Sequence, residues 1–152
     1  MKLAEALVIR ADHQRRLEQL KVRLLRNAKV QEGDKPAEDP EALISEFESV
    51  ASELTGLISR INLSNSKATV AGRTMTEALA EREILKQRQA LYRDLAQAAT
   101  ITQSVSTRSE VRFKGTVAVS TIQKKADAAA KELRDLDAHI QEANWLIELS
   151  EW

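Results

Sequence analysis

Val119-Ser-Thr-Ile122-Gln-Lys-Lys-Ala126-Asp-Ala-Ala129-Ala-Lys-Glu-Leu133-Arg-Asp-Leu136-Asp-Ala-His-Ile140-Gln-Glu-Ala143-Asn-Trp-Leu-Ile147 decides the fold class. Its numbered residues are all apolar and recur at alternating spacings of three and four. In a helix that spacing draws one stripe, and a stripe held for about four heptads is a coiled-coil-type seam. Such a stripe is costly to leave in water, so the helix must pack against other helices. Ala126, Ala129 and Ala143 allow close approach. A neighbouring helix is therefore expected along the alanine stretch, from this chain or from a second copy.

Three further helices are read from the rest of the chain. The first runs from about residue 2 to 31, with Leu3, Leu7, Leu17, Leu20, Leu24 and Ala28 on its stripe. Arg10, His13 and Gln14 interrupt that stripe and read as a polar layer that fixes helix register. Gly33, Pro36 and Pro40 break the helix, and Asp39-Pro40 supplies an N-cap and first-turn pair for a second helix over about 41–62. This second helix carries Leu43, Phe47, Val50, Leu54, Leu57 and Ile61. Thr74-Met-Thr-Glu77 is a capping box and opens a third helix over about 75–102, whose seam reads Ile84, Leu91, Leu95 and Ala98, interrupted by Arg88. Ser120-x-x-Gln123 has the same form at the start of a fourth helix over about 119–149. Ala68-Thr69-Val70 and the alternation Val111, Phe113 hint at extended pieces in the second and third connections, which together would form a short ribbon. The expectation is an all-α protein: an elongated antiparallel four-helix bundle or coiled coil, with a short two-stranded ribbon from the 2–3 and 3–4 connections, in a single domain over residues 1–152.

Composition agrees with helices and excludes several function classes. Aromatic residues make up 3% of the chain and charged residues 30%, a balance typical of long helices. The 23 basic groups equal the 23 acidic ones, so no basic excess of the nucleic-acid-binding kind exists overall. With no cysteine, disulfides, Cys-type zinc sites and thiol chemistry are excluded. No stretch has the roughly 18 apolar residues of a membrane span, and the opening segment is interrupted by Glu5. A cytoplasmic protein without membrane association is expected. Residues 1–32 carry 8 basic and 4 acidic groups, residues 33–62 carry 2 and 7. That asymmetry suggests an antiparallel hairpin of the first two helices with complementary flanks.

Chemistry is sparse. Neither His13 nor His139 stands in a Glu-x-x-His pair of the di-iron type, and His139 between Asp135 and Glu142 reads as a solvated face rather than a metal site. Neither a metal nor a cofactor is expected. The four glycines form no phosphate cradle, and no serine sits in a nucleophile elbow. The polar residues of greatest interest flank the two long connections: Asn62, Asn65, Arg73, Arg82, Arg108 and Arg112. Amides and guanidinium forks are suited to a carboxylate or phosphate, so these six are the candidate ligand-binding residues. The competing explanation is that Asn serves turns while Arg stems cover apolar surface.

The pieces Ile61-Asn62…Asn65, Gly72-Arg-Thr-Met-Thr-Glu-Ala-Leu-Ala-Glu-Arg-Glu83, Ser109-Glu-Val-Arg-Phe113 and Ala130-Lys-Glu-Leu-Arg-Asp-Leu-Asp-Ala-His-Ile-Gln-Glu-Ala-Asn-Trp145 resemble a small bacterial family. Some of its members are labelled septicolysin-like. The resemblance spans nearly the whole chain and implies a membrane-active, pore-forming protein. It supplies no catalytic residues.

Helix lengths add one argument. About 30 residues make a helix of about 45 Å and about 22 residues one of about 33 Å, so a short second helix would leave its longer neighbours uncovered unless a second copy covered them. The leading expectation is a non-enzymatic, homo-oligomeric helical scaffold or interaction protein. The alternatives are the pore-forming activity and a small-anion binder or enzyme using the Asn and Arg residues.

Overall fold

The computed structural model describes residues 1–101 and 111–151. The protein is a four-helix, mostly α protein: α1 Leu3–Arg26, α2 Pro40–Lys67, β1 Thr69–Val70, β2 Arg73–Thr74, α3 Met75–Ala99 and α4 Val119–Leu146. It divides into two compact units, Met1–Ala68 with Gln141–Trp152 and Thr69–Ile140.

In the first unit α1 packs on α2. The pairs His13–Glu53, Arg16–Glu46 and Arg23–Glu38 run in opposite chain directions, so the two helices are antiparallel. These are the complementary flanks that the charge asymmetry predicts. Leu3, Ala6, Leu57, Ile61 and Leu149 form the core, with Leu7, Ile9 and Ile147 packed against it. Leu3 N donates to Ile147 O (2.9 Å) and Leu149 N to Met1 O (2.9 Å), which ties the two chain ends together. Lys2 Nζ reinforces the tie from 2.6 Å off the Glu148 carboxylate.

Four helix ends differ from the sequence expectation: α3 closes at Ala99 rather than near 102, α4 at Leu146 rather than near 149, and the ends of α1 and α2 have a visible cause. α1 closes at Arg26 rather than near Gln31, because Asn27 Nδ2 donates to Arg23 O (2.8 Å) while its Oδ1 accepts from Glu38 N (3.1 Å). One side chain thus caps the helix and anchors the following loop. α2 continues to Lys67 instead of fading at Asn62. Ser64 Oγ donates to Arg60 O (2.9 Å) and Ser66 Oγ to Leu63 O (2.7 Å), so these serines satisfy themselves within the helix. The four helices therefore have 24, 28, 25 and 28 residues. The second helix is thus not short, and unequal helix length gives no reason for a second copy.

In the second unit a two-stranded ribbon pairs Thr69 with Thr74 and Val70 with Arg73. Both strands come from the connection between α2 and α3, whereas Val111 and Phe113 lie outside any strand. The cause is local. Ala71 (φ 51°) and Gly72 (φ 83°) both have positive φ, as a type I′ turn requires, and such a turn returns the chain onto the strand just left. Thr74 then caps α3 as expected: Glu77 N donates to Thr74 Oγ1 (3.1 Å) and Thr74 N to Glu77 Oε2 (3.0 Å). The fourth helix starts differently. Ser120 lies inside its first turn, Ala118 O accepts the first bond from Ile122 N (3.0 Å), and Gln123 donates to Asp127 (3.1 Å) instead of closing a capping box.

Arg82 Nη1 to Asp137 Oδ1 (2.9 Å) and Lys125 Nζ over the Tyr92 ring (5.7 Å) set α3 and α4 side by side and antiparallel. All nine seam residues are buried or half-buried, eight of them within α4 and Ile147 just past its end. Tyr92 and Arg82 of α3 reach α4 on either side of Ala126 and Ala129, so α3 of the same chain runs beside that part of the alanine stretch. The inward face of α3 is not the one expected. Met75, Ala78, Leu85 and Ala96 are buried, while Ile84, Leu91 and Ala98 are exposed.

Candidate functional site

The convergence of polar groups in the first unit starts from three residues on one face of α2. Glu53, Gly56 and Arg60 recur at spacings of three and four, so they line up along the helix toward α1. A groove of about 290 Å³ runs over them, walled by Ile9 and His13 from α1, Leu57 and Ser52 from α2, and Met1.

At one end His13 Nε2 lies 3.1 Å from Glu53 Oε2. At the other, Arg60 Nε donates to Ser150 O (3.0 Å). Ser150 N donates in turn to Ser64 Oγ (2.8 Å), and Ser64 Oγ donates to Arg60 O (2.9 Å). Arg60 is thus held through both its guanidinium and its backbone carbonyl. Ser64, though polar, is among the most buried side chains of the chain. Its burial is tolerated because its hydroxyl both gives and takes a bond.

The three residues expected to form a register layer are placed as follows. His13 reaches α2 through Glu53, Arg10 is half-buried, and Gln14 faces solvent. Further along α1, Arg23 grips Glu38 through Nε (3.1 and 3.0 Å) and Nη2. That hydrogen bonding holds the Glu38 carboxyl below its usual range and raises the Arg23 guanidinium. A larger depression of about 410 Å³ beside Arg23 is walled by α1 alone, and its best donor is already spent on Glu38. Glu148 is likewise lowered, first by its hydrogen bond from Lys2 and then by the one from the Met1 amino group.

The six residues singled out for ligand binding are distributed as follows. Asn62 is exposed and Asn65 half-buried, both on α2 in the first unit and helical rather than in a loop. In the second unit Arg73 Nη1 sits 2.6 Å from Glu81 Oε2, and Arg82 binds Asp137. Arg73 Nε is buried without a partner. Arg112 is exposed, and Arg108 lies outside the described residues. Glu81 and Asp137, which take up the Arg73 and Arg82 charges, were not part of that set. Nor were Glu53, Gly56 and Arg60, although a glycine in the middle of a strong helical pattern is a signal that sequence carries. Among the described residues no group of three or more His, Asp or Glu side chains is arranged to hold a metal ion. No described helix is long and apolar enough to cross a membrane.

The described residues thus form four helices, one ribbon and two antiparallel helix pairs. Residues 10–149 match the model of a family of unknown function, DUF6847, and the chain belongs to that family. It is also similar to a functionally unknown conserved protein from Corynebacterium diphtheriae whose crystal structure is solved. The identity is 44%, the match covers 99% of each chain, and the TM-score is 0.92. No curated protein matches the chain. Neither description assigns an activity.

Proposed function

We propose that this protein is a non-catalytic helical interaction protein that associates with a second copy of itself along the outer stripe of α3. The observation that carries this is the exposure of Ile84 (45%) and Leu91 (60%) on a face that repeats every heptad. Ile84, Arg88, Leu91, Leu95 and Ala98 follow a 4-3-4-3 spacing, which is a seam pattern exposed at every position but the half-buried Leu95. A helix needs one apolar stripe to join its own unit, and α3 has two.

The stripe fits a two-fold axis through Leu91 better than a parallel pairing. Antiparallel helices centred on Leu91 set bulky Ile84 against small Ala98. They also bring the Gln87 amide beside the Asp94 carboxylate and lay the Arg88 stem over Leu95. A parallel pairing would stack Arg88 on Arg88. Sedimentation velocity over a wide concentration range tests the proposal. A mass of twice the 17.0 kDa chain is expected, reverting to one chain in Leu91→Glu. A single-chain mass at every concentration would remove it.

A second reading draws on a different observation. Trp145 and Leu146 are exposed at the end of α4, and Trp is favoured at membrane interfaces as well as protein contacts. Together with the septicolysin-like resemblance, this supports a membrane-active protein. Dye release from anionic liposomes, lost in Trp145→Ala, is its expected signature, and intact liposomes of several compositions would reject it.

A further inference from the structure

We infer that the groove over Gly56 is a binding site for a small monocarboxylic acid with a short aliphatic body, held by Arg60. Three independent features of the first unit lead there.

The first is the fork. Arg60 is fixed by its Nε bond to Ser150 O (3.0 Å) and by the buried Ser64 hydroxyl on its carbonyl (2.9 Å). Its two terminal nitrogens have no protein partner among the described residues. A guanidinium already pinned by its inner nitrogen loses little freedom when its outer edge takes a planar, two-oxygen anion. The second is Gly56. Glycine in a helix interior is destabilising relative to alanine, so its presence calls for a reason. Neither backbone nor packing gives one: its φ is not positive, and an added Cβ would meet nothing within 4 Å. The space that a side chain would fill is the groove itself. The third is the lining. Ile9 and Leu57 give the groove an apolar wall, and the far end is closed by Glu53, drawn aside by His13 at 3.1 Å.

These features also select the ligand. One cation at one end and a carboxylate at the other disfavour a dianion such as phosphate, because Glu53 repels the second charge. A single carboxylate on Arg60 with an aliphatic body across Gly56 meets complementary surface throughout. At about 290 Å³ the groove is at the small end for a ligand site, which limits the occupant to a handful of carbons.

Titration of the ¹⁵N-labelled full chain with sodium hexanoate, followed by backbone amide shifts, tests this. Saturable shifts centred on Gly56, Leu57 and Arg60 are expected. Arg60→Gln should weaken the apparent affinity about tenfold. Gly56→Leu, which fills the groove and keeps the fork, should abolish the shifts, and it decides the matter if Arg60→Gln fails to fold. 1-Hexanol, with the same body and no charge, should leave these amides unmoved. Non-saturating shifts, equal shifts in a folded Gly56→Leu chain, or equal binding of 1-hexanol would overturn the inference. None of these readouts depends on self-association through α3, since Leu91→Glu should titrate like the parent chain.

Discussion

Ser64 shows how much a single hydroxyl can hold. It is 2% exposed, donates to Arg60 O and accepts from Ser150 N. Ser64→Ala leaves the Ser150 amide without its acceptor, which costs about 1–3 kcal/mol. Thermal unfolding should show a lower midpoint, and the Arg60 to Ser150 contact should loosen with it. The residue was hidden in sequence because Asn62 to Ser66 reads as a polar connection. What sequence does not display is that Ser can satisfy a backbone carbonyl one turn back and so remain helical. Arg60 and Glu53 were equally silent, since each is an ordinary surface type until the α1–α2 register brings His13 to one and the C-terminal segment to the other.

The carboxylates of Glu148 and Glu38 give a pH dependence. Both have folded-state pKa values below the ordinary glutamate range, from the hydrogen bonds of Lys2 and Arg23 respectively. A depressed carboxylate contributes stability that is complete above its unfolded pKa and is lost as pH falls through the folded value. Unfolding midpoints at fixed protein concentration should therefore fall on acidification below the ordinary glutamate range. The fall should be shallower in Glu148→Gln and shallower at high salt, because these pairs are partly exposed. A midpoint that stays level through that range would contradict the assignment.

At the scale of elements, three stripes were legible and one was not. α1, α2 and α4 each present one dominant apolar face, and those faces supply the buried residues Leu20, Leu54, Leu57, Leu136 and Ile140. α3 carries two interleaved faces. Bulk favours Ile84 and Leu91, while the packed face uses Leu85 and Tyr92 with the small residues Ala78 and Ala96. Small residues score weakly in a hydropathy pattern, yet they let α4 approach, with its own Ala126 and Ala129 buried. The two leucines separate the roles. Leu85→Ala should cost about 2–5 kcal/mol in unfolding free energy, as a buried truncation does. Leu91→Ala should change the stability of the monomer by about 0.5 kcal/mol or less, as an exposed substitution does. Denaturant titrations at low protein concentration compare them directly, and equal effects would mean that the faces are misassigned. The ribbon was legible as extended chain but not as a hairpin, because Ala71-Gly72 lacks the Asn or Asp that usually marks a type I′ turn.

At the scale of the whole molecule, the antiparallel pairing of α1 with α2 followed from charge, whereas the seam of α4 called for a neighbouring helix without saying which one. Unequal helices give no reason for association, since the helices span 24 to 28 residues. What replaces it is a physical surface, the outer stripe of α3. The chain contains no cysteine, so a single introduced one reports on its own surroundings alone. Leu91→Cys places a thiol on the proposed two-fold axis, where two copies so associated would meet within disulfide reach. Lys86→Cys places one on the far side of the same helix. Mild oxidation at low protein concentration should convert Leu91→Cys to a covalent dimer and leave Lys86→Cys monomeric. Equal cross-linking of the two variants, or none in either, would contradict association along α3.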